Sequence, residues 1–258
     1  MIYGAIFGDI AGSAYEFNPV ENRDFEMIIP KSRFTDDTVM TLAIANWLME
    51  NPYDEDVLIK QMQTLGAFYP GAGYGPSFAH WLISLNPQPY NSWGNGSAMR
   101  VSPCGWVAKT LAEAEELAKK SAEVTHNHPE GIKGAQAVAA AIWMARNNYS
   151  KQEIKDYISS VYDYDLDRTV QSIIDKGYGF AVSCQKSVPE AIIAFLESTD
   201  YESAVRNAIS LGGDSDTQGC IAGSIAEAFY GFPEEYKEIV EQKLDKFLLS
   251  ILNKFNKQ

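Results

Sequence analysis

Residues 4–17 read GAIFGDIAGSAYEF, with glycine at positions 4, 8 and 12. A spacing of four is close to a helical turn, so the three glycines fall on one face and leave it without side chains. Each glycine inside a helix costs about 1 kcal/mol relative to alanine. The pattern therefore predicts a helix whose bare face lies close against another helix, a contact that offsets this cost. Asp9 and Glu16, two turns apart, fall on a similar face. They are either surface acids or, for Glu16, a carboxylate delivered from the helix end to an acidic site.

The same periodicity runs outward from this segment. TVMTLAIANWLME (38–50) sets Val39, Leu42, Ala43 and Trp47 on a wide apolar face. KGAQAVAAAIWMAR (133–146), almost all small or apolar, reads as a central helix touched on several sides. Residues 111–122 read as a charged surface helix. Further amphipathic runs occupy 151–162, 168–176, 188–198, 201–210 and 217–230, and one long run covers 234–254. Pro129, Pro189 and Pro233, each followed by glutamate, mark first helical turns. Ser150 with Glu153 makes a capping box. FEMIIP (25–30) and YGFAVS (178–183) are extended candidates that do not build a sheet. There is no long linker, no repeat, and no Rossmann or Walker signature. The expectation is one all-α domain over residues 1–258, with roughly ten or more helices.

Two short acidic motifs carry the chemistry. FTDDT (34–38) and GGDSDT (212–217) each hold an aspartate pair beside threonine, just before an apolar helical run. In FTDDT, Thr35 or an aspartate serves as N-cap, and acids in a first turn offset the helix dipole. In GGDSDT, Gly212 and Gly213 free the backbone to turn, and Asp214 and Asp216 aim at one point. A cap alone needs neither two acids nor two glycines. Bringing four carboxylates together without partners costs several kcal/mol per ion, roughly. Something positive is therefore expected between them. An oxygen-only donor set points to a hard divalent cation, Mg²⁺ or Mn²⁺.

Composition narrows the partners. The net charge of -13 argues against nucleic-acid backbones and anionic membranes. Three scattered cysteines, Cys104, Cys184 and Cys220, fit buried thiols in a reducing compartment and neither a disulfide framework nor zinc. No stretch is a signal peptide or a membrane span, and the expected location is the cytoplasm.

GAGYG (71–75) and WGNGSAMR (93–100) are glycine-rich loops, either plain turns or anion cradles. Arg100 either secures a phosphate or pairs with an acid, and Tyr74 either stacks on a base or sugar or belongs to the core. THNHPEG (125–131) places His126 and His128 in a loop suited to contact with substrate or backbone rather than to zinc. His80, beside Trp81 and Leu82, reads as structural.

Taken in order, GDxxGxxxE near the start, TDDT, GxGYG, GNGxxMR, THxHP and GGDxDT resemble the ADP-ribosylglycohydrolase family, the dinitrogenase-reductase-activating glycohydrolase and ADP-ribosylhydrolase group. The resemblance implies a compact orthogonal helical bundle with a binuclear Mg²⁺ or Mn²⁺ site at the base of a cleft. It implies metal ligation by Thr35, Asp36, Asp37, Asp214, Asp216 and Thr217. Glu16, Asp36, Asp37 and Asp216 become the candidate catalytic groups. Gly71, Gly73, Tyr74, Gly75, Asn95, Gly96, Ser97, Arg100 and His126 become the candidate substrate contacts. The implied activity is metal-dependent hydrolysis at C1 of an ADP-ribosyl group on a protein or small molecule, by a monomer. The alternatives are a non-catalytic ADP-ribose binder and a binuclear metal phosphohydrolase.

Overall fold

The bare face of the first helix meets another bare face more than 200 residues downstream. The computed structural model describes residues 1–20 and 22–257, and among these it contains fifteen α-helices. They are α1 (Tyr3–Gly12), α2 (Asp36–Glu50), α3 (Glu55–Phe68), α4 (Pro76–Leu82) and α5 (Gly96–Met99). Next come α6 (Ser102–Val107), α7 (Leu111–Glu123), α8 (Pro129–Arg146), α9 (Lys151–Tyr162) and α10 (Val170–Asp175). The last are α11 (Cys184–Leu196), α12 (Tyr201–Ser210), α13 (Ser215–Tyr230), α14 (Glu234–Lys243) and α15 (Lys246–Phe255).

Gly4 abuts Gly223, Gly8 abuts Gly219, and Gly12 abuts Ser215, so α1 and α13 run antiparallel with their backbones touching. A β-carbon on Gly8 would lie 2.0 Å from the Gly219 carbonyl oxygen. That contact brings the end of α1, and Glu16 beyond it, to the start of α13, where Asp214 and Asp216 lie.

Two helices form the centre. α13 packs on α1, α8, α11 and α12, and α8 packs on α5, α6, α7, α9, α11 and α13. Alanine and glycine on α8 (Gly134, Ala135, Ala137, Ala139, Ala140, Ala141) are buried and admit neighbours on several sides. This matches the sequence expectation for 133–146. α2 closes the other flank against α1, α3, α6 and α15. Among the described residues the extended structure is one isolated bridge, Gly94 to Ser183, so YGFAVS pairs with the glycine loop and with no sheet.

Three expectations differ from the structure. Pro233 is the N-cap of α14, one position before its first turn. Pro189 is not in a first turn: α11 begins earlier, at Cys184, with Pro189 inside it. The carbonyl deprived of its donor is that of Gln185, an exposed residue. The run 234–254 is not one helix. Leu244 turns extended, and Asp245 starts α15 by accepting from the N–H groups of Phe247 and Leu248 at 2.8 and 3.0 Å. The Ser150–Glu153 capping box is present as expected. No helix among the described residues is long and apolar enough to cross a membrane.

Candidate active site

The ends of three helices converge. Thr35 is the N-cap of α2, accepting from the Asp37 N–H. Asp9, buried on α1, reaches across to the same helix start. Its carboxylate accepts from the N–H groups of Thr35 and Thr38 at 2.9 and 3.0 Å and from both threonine hydroxyls. Asp9 therefore pins α2 to α1, a role the sequence did not reveal because its partners lie 26 and 29 residues away. Asp214 is the N-cap residue of α13 but its side chain makes no cap hydrogen bond; its Oδ2 accepts from Asn95 Nδ2 at 2.7 Å instead. Gly212 supplies the turn with φ +74, as the sequence suggested. Thr217 Oγ1 donates to Asp37 Oδ2 at 3.3 Å, which joins the two acidic motifs directly.

Glu16, Asp214 and Asp216 place carboxylate oxygens within 4.8 Å of one another, and Asp36 and Asp37 stand beside them on the same cleft floor. Among the described residues none of these acids forms a salt bridge. The electrostatic cost is plain. Burial, and then the Asp216 charge, push Asp36 up to about 8 and Glu16 up to about 7. The same causes raise Asp9 to about 7, against the pull of its threonine hydrogen bonds. Asp37 and Asp214 rise well above the ordinary range for these reasons too, and burial raises Asp216.

The donor set suits hard divalent cations. It is all oxygen, and Asp37 Oδ1 is buried without a hydrogen-bond partner. The positive ends of α2 and α13 also point at the cluster, but the partial charge of two helix starts does not balance this many carboxylates.

A carboxyl whose pKa is raised on folding stabilises the fold below its unfolded pKa, and that contribution is lost as pH rises through the folded value. Buried His126, held well below its usual range, works the other way, but its effect is complete above the ordinary histidine value of about 6.5. Metal-free protein should therefore lose thermal stability as pH rises from about 6.5 to about 8. Saturating Mg²⁺ or Mn²⁺ should flatten the slope. Melting curves in chelator and in metal, across that range, check this; parallel slopes would count against cations at the cluster.

Above the acids lies a cleft of about 680 Å³. Its wall includes Gly73, Gly75, Asn95, Gly96, Arg100 and His126, together with Glu16, Thr35, Asp36, Asp37, Asp214, Asp216 and Thr217. The 71–75 loop is tied to α2, since the Asp36 N–H donates to the Ala72 carbonyl at 3.0 Å. Gly73 adopts φ +119 against the Asp36 carboxylate.

Other expected contacts lie elsewhere. Gly71 is exposed, outside the cleft lining, and a β-carbon added to it would meet nothing within 4 Å. The Tyr74 ring packs on Phe78, with centroids 5.7 Å apart, outside the cleft lining. Ser97 is buried, donating to the Gly131 carbonyl at 2.7 Å. Arg100 lines the cleft wall with Nη2 turned into the protein, donating to the Ser121 carbonyl at 2.6 Å and to Thr125 Oγ1 at 2.9 Å, while Nε is buried without a partner. It is buried and, among the described residues, forms no salt bridge, so it is not the surface ion pair that the sequence allowed. Burial lowers it to about 10.

The cleft also has an aromatic rim that no sequence pattern marks. Phe17 and Phe180, both exposed, stack at 6.2 Å beside exposed Trp93 and Val182 on the cleft lining. Solvent-facing aromatics scattered across the chain carry no periodic signal that could have revealed them.

A family model described as ADP-ribosylglycohydrolase matches residues 1–257. The chain is 26% identical to ADP-ribosylhydrolase ARH3 of Homo sapiens over 318 residues, covering 92% of this chain and 87% of that protein. It is 24% identical to ADP-ribosylarginine hydrolase Tri1 of Pseudomonas putida (strain GB-1) over 280 residues, covering 93% of this chain and 72% of that protein. A solved structure described as an ADP-ribosylglycohydrolase-related protein complex matches at TM-score 0.73 and 21% identity, covering 98% of this chain and 95% of that one, a likeness of fold.

Proposed function

We propose that this chain, which belongs to the ADP-ribosylglycohydrolase family, hydrolyses the glycosidic bond at C1 of an ADP-ribosyl group carried by a protein or small molecule. The observation that carries the reading is the set of acids gathered on the floor of a cleft of about 680 Å³. That volume is within the range of small-molecule sites.

Thr35, Asp36, Asp37, Asp214, Asp216 and Thr217 are the groups that would hold two divalent cations, Mg²⁺ or Mn²⁺. When bound, such cations supply Lewis-acid polarisation of ribose oxygens and of a water. The chain's own contribution is positional. Thr38 and Thr35 hold Asp9, which fixes α2 against α1 and sets Asp36 and Asp37 opposite Asp216. Asn95 orients the Asp214 carboxylate and links it to the 93–100 loop. Glu16 enters from the end of α1, half-buried beside Asp214 and Asp216. It is the group placed to exchange a proton as positive charge develops at the ribose C1. Gly73, Gly75 and Gly96 let backbone approach the diphosphate closely.

The test is product analysis on defined ADP-ribosylated substrates, with arginine, serine and acyl linkages compared. Released ADP-ribose, lost in excess chelator and restored by Mg²⁺ or Mn²⁺, is the expected outcome. AMP or inorganic phosphate as product would instead identify a phosphohydrolase, and binding without turnover a non-catalytic receptor for ADP-ribose.

A further inference from the structure

At the cleft wall three side chains form a hydrogen-bonded line that begins at Arg100 and ends at His126. Arg100 is 1% exposed, and its Nη2 donates to Thr125 Oγ1 at 2.9 Å. Thr125 Oγ1 lies 2.7 Å from His126 Nδ1. The far edge of the imidazole faces the glycine loop. A β-carbon added to Gly96 or Gly94 would stand 3.2 or 3.4 Å from His126 Nε2, and all three residues line the cleft.

The proton inventory decides which ring nitrogen carries hydrogen. A threonine hydroxyl has one proton and two lone pairs. One lone pair takes the Arg100 N–H. The proton then has two acceptors within reach, His126 Nδ1 at 2.7 Å and the Ala122 carbonyl at 3.4 Å. A separation of 2.7 Å is typical of an O–H donor and short for an N–H donor. The guanidinium also polarises the hydroxyl it donates to, making that proton a better donor. The doubly protonated ring is opposed by burial and then by the Arg100 charge. Nδ1 is thus the acceptor, and the remaining ring proton belongs to Nε2.

We propose that Arg100 and Thr125 are positioning residues that fix His126 as the Nε2–H tautomer, presenting a neutral donor to an oxygen of the ligand bound at the glycine loop. The ligand half rests on the function proposed above; the tautomer does not. The arrangement also accounts for a buried arginine that reaches the wall of a binding cleft while its Nη2 is turned into the protein.

Nitrogen-15 NMR on the full chain with Mg²⁺ present reads the tautomer directly, because the sequence holds only three histidines. Proton on Nε2 and none on Nδ1 of His126 is the expected pattern; the reverse tautomer, or an imidazolium at neutral pH, overturns the proposal. Thr125→Val should shift His126 toward the Nδ1–H form and weaken ADP-ribose binding about tenfold by calorimetry, equivalent to about 1.4 kcal/mol. Thr125→Ser should restore both. A Thr125→Val protein that keeps the wild-type tautomer and affinity removes the positioning role. Should Thr125→Val not fold, the wild-type spectrum and Thr125→Ser still decide. Wild-type protein that fails to bind ADP-ribose would count against the proposed function, while the nitrogen spectrum would still judge the lock.

Discussion

Asp216→Ala is expected to abolish turnover and to leave the metal-free fold at least as stable as the wild type. Asp216 stands at the electrostatic centre of the cluster. Its charge raises Asp9, Glu16, Asp36, Asp37 and Asp214. Removing it relieves repulsion on five other carboxyls. Asp216 Oδ1 accepts from the adjacent Thr217 N–H at 3.0 Å, and hydrogen bonding from Thr35 at the start of α2 and from Asp214 offsets part of the cost of its burial. Little packing is lost, and the repulsive charge goes. The catalytic loss should be on the order of 10³-fold or more, the scale found when a preorganised charged or hydrogen-bonding partner is deleted from a reaction centre. Three measurements separate the effects. ADP-ribose release should vanish, divalent-cation binding by calorimetry should weaken, and circular dichroism should stay helical. In chelator the variant's melting temperature should equal or exceed that of wild type, whereas added Mg²⁺ should stabilise it less. Near-wild-type turnover, or a large loss of metal-free stability, would show that Asp216 is a structural acid and would move the reaction centre elsewhere. Such a trade of stability for function is common at active sites.

The fold and the acidic floor were legible because both are written in local pattern. α7, α9 and α12 fall within a residue of their expected spans, since their apolar period is clean and their caps are strong: Thr110, Ser150 and Asp200 each accept from the N3 backbone. The floor was legible because two motifs repeat one design. What failed depended on contacts distant in sequence. Arg100 stayed open between a phosphate and an acid because the partners of its Nη2, Ser121 and Thr125, lie 21 and 25 residues further on. Asp9 read as an ordinary acid because its role is set by α2. The 234–254 run read as one helix because its apolar period continues across Leu244 and Asp245, and only the capping geometry of Asp245 interrupts it. Tyr74 and Phe78 show the limit for aromatics: the same residue serves core or cleft, and spacing does not choose between them.

Gly8→Ala is expected to cost more than any other single methyl addition to α1, in stability and in activity together. The added β-carbon would sit 2.0 Å from the Gly219 carbonyl oxygen, 2.3 Å from its carbon and 2.8 Å from the Cys220 nitrogen. All three are backbone atoms of α13, so no rotamer change relieves the overlap, and the helices must separate. Overpacking in a core costs typically 1–3 kcal/mol, and a backbone-on-backbone clash belongs at about 3 or above. In a chain of this length that corresponds to a melting temperature lower by roughly 6–12 °C. Alanine's better helix propensity returns only about 1 kcal/mol. The separation also acts on the site, because α1 carries Asp9 and leads into Glu16, while α13 carries Asp216. Opening the joint moves the acids of one side from those of the other, and activity should fall even at temperatures where the variant remains folded. Gly179→Ala is the matched control: nothing lies within 4 Å of its added carbon, and its stability should stay within about 0.5 kcal/mol of wild type. Differential scanning calorimetry and ADP-ribose release, run on both variants, provide the comparison. If Gly8→Ala melted and turned over like Gly179→Ala, the two helices would not be in backbone contact, and the placement of Glu16 beside Asp216 would lose its structural cause.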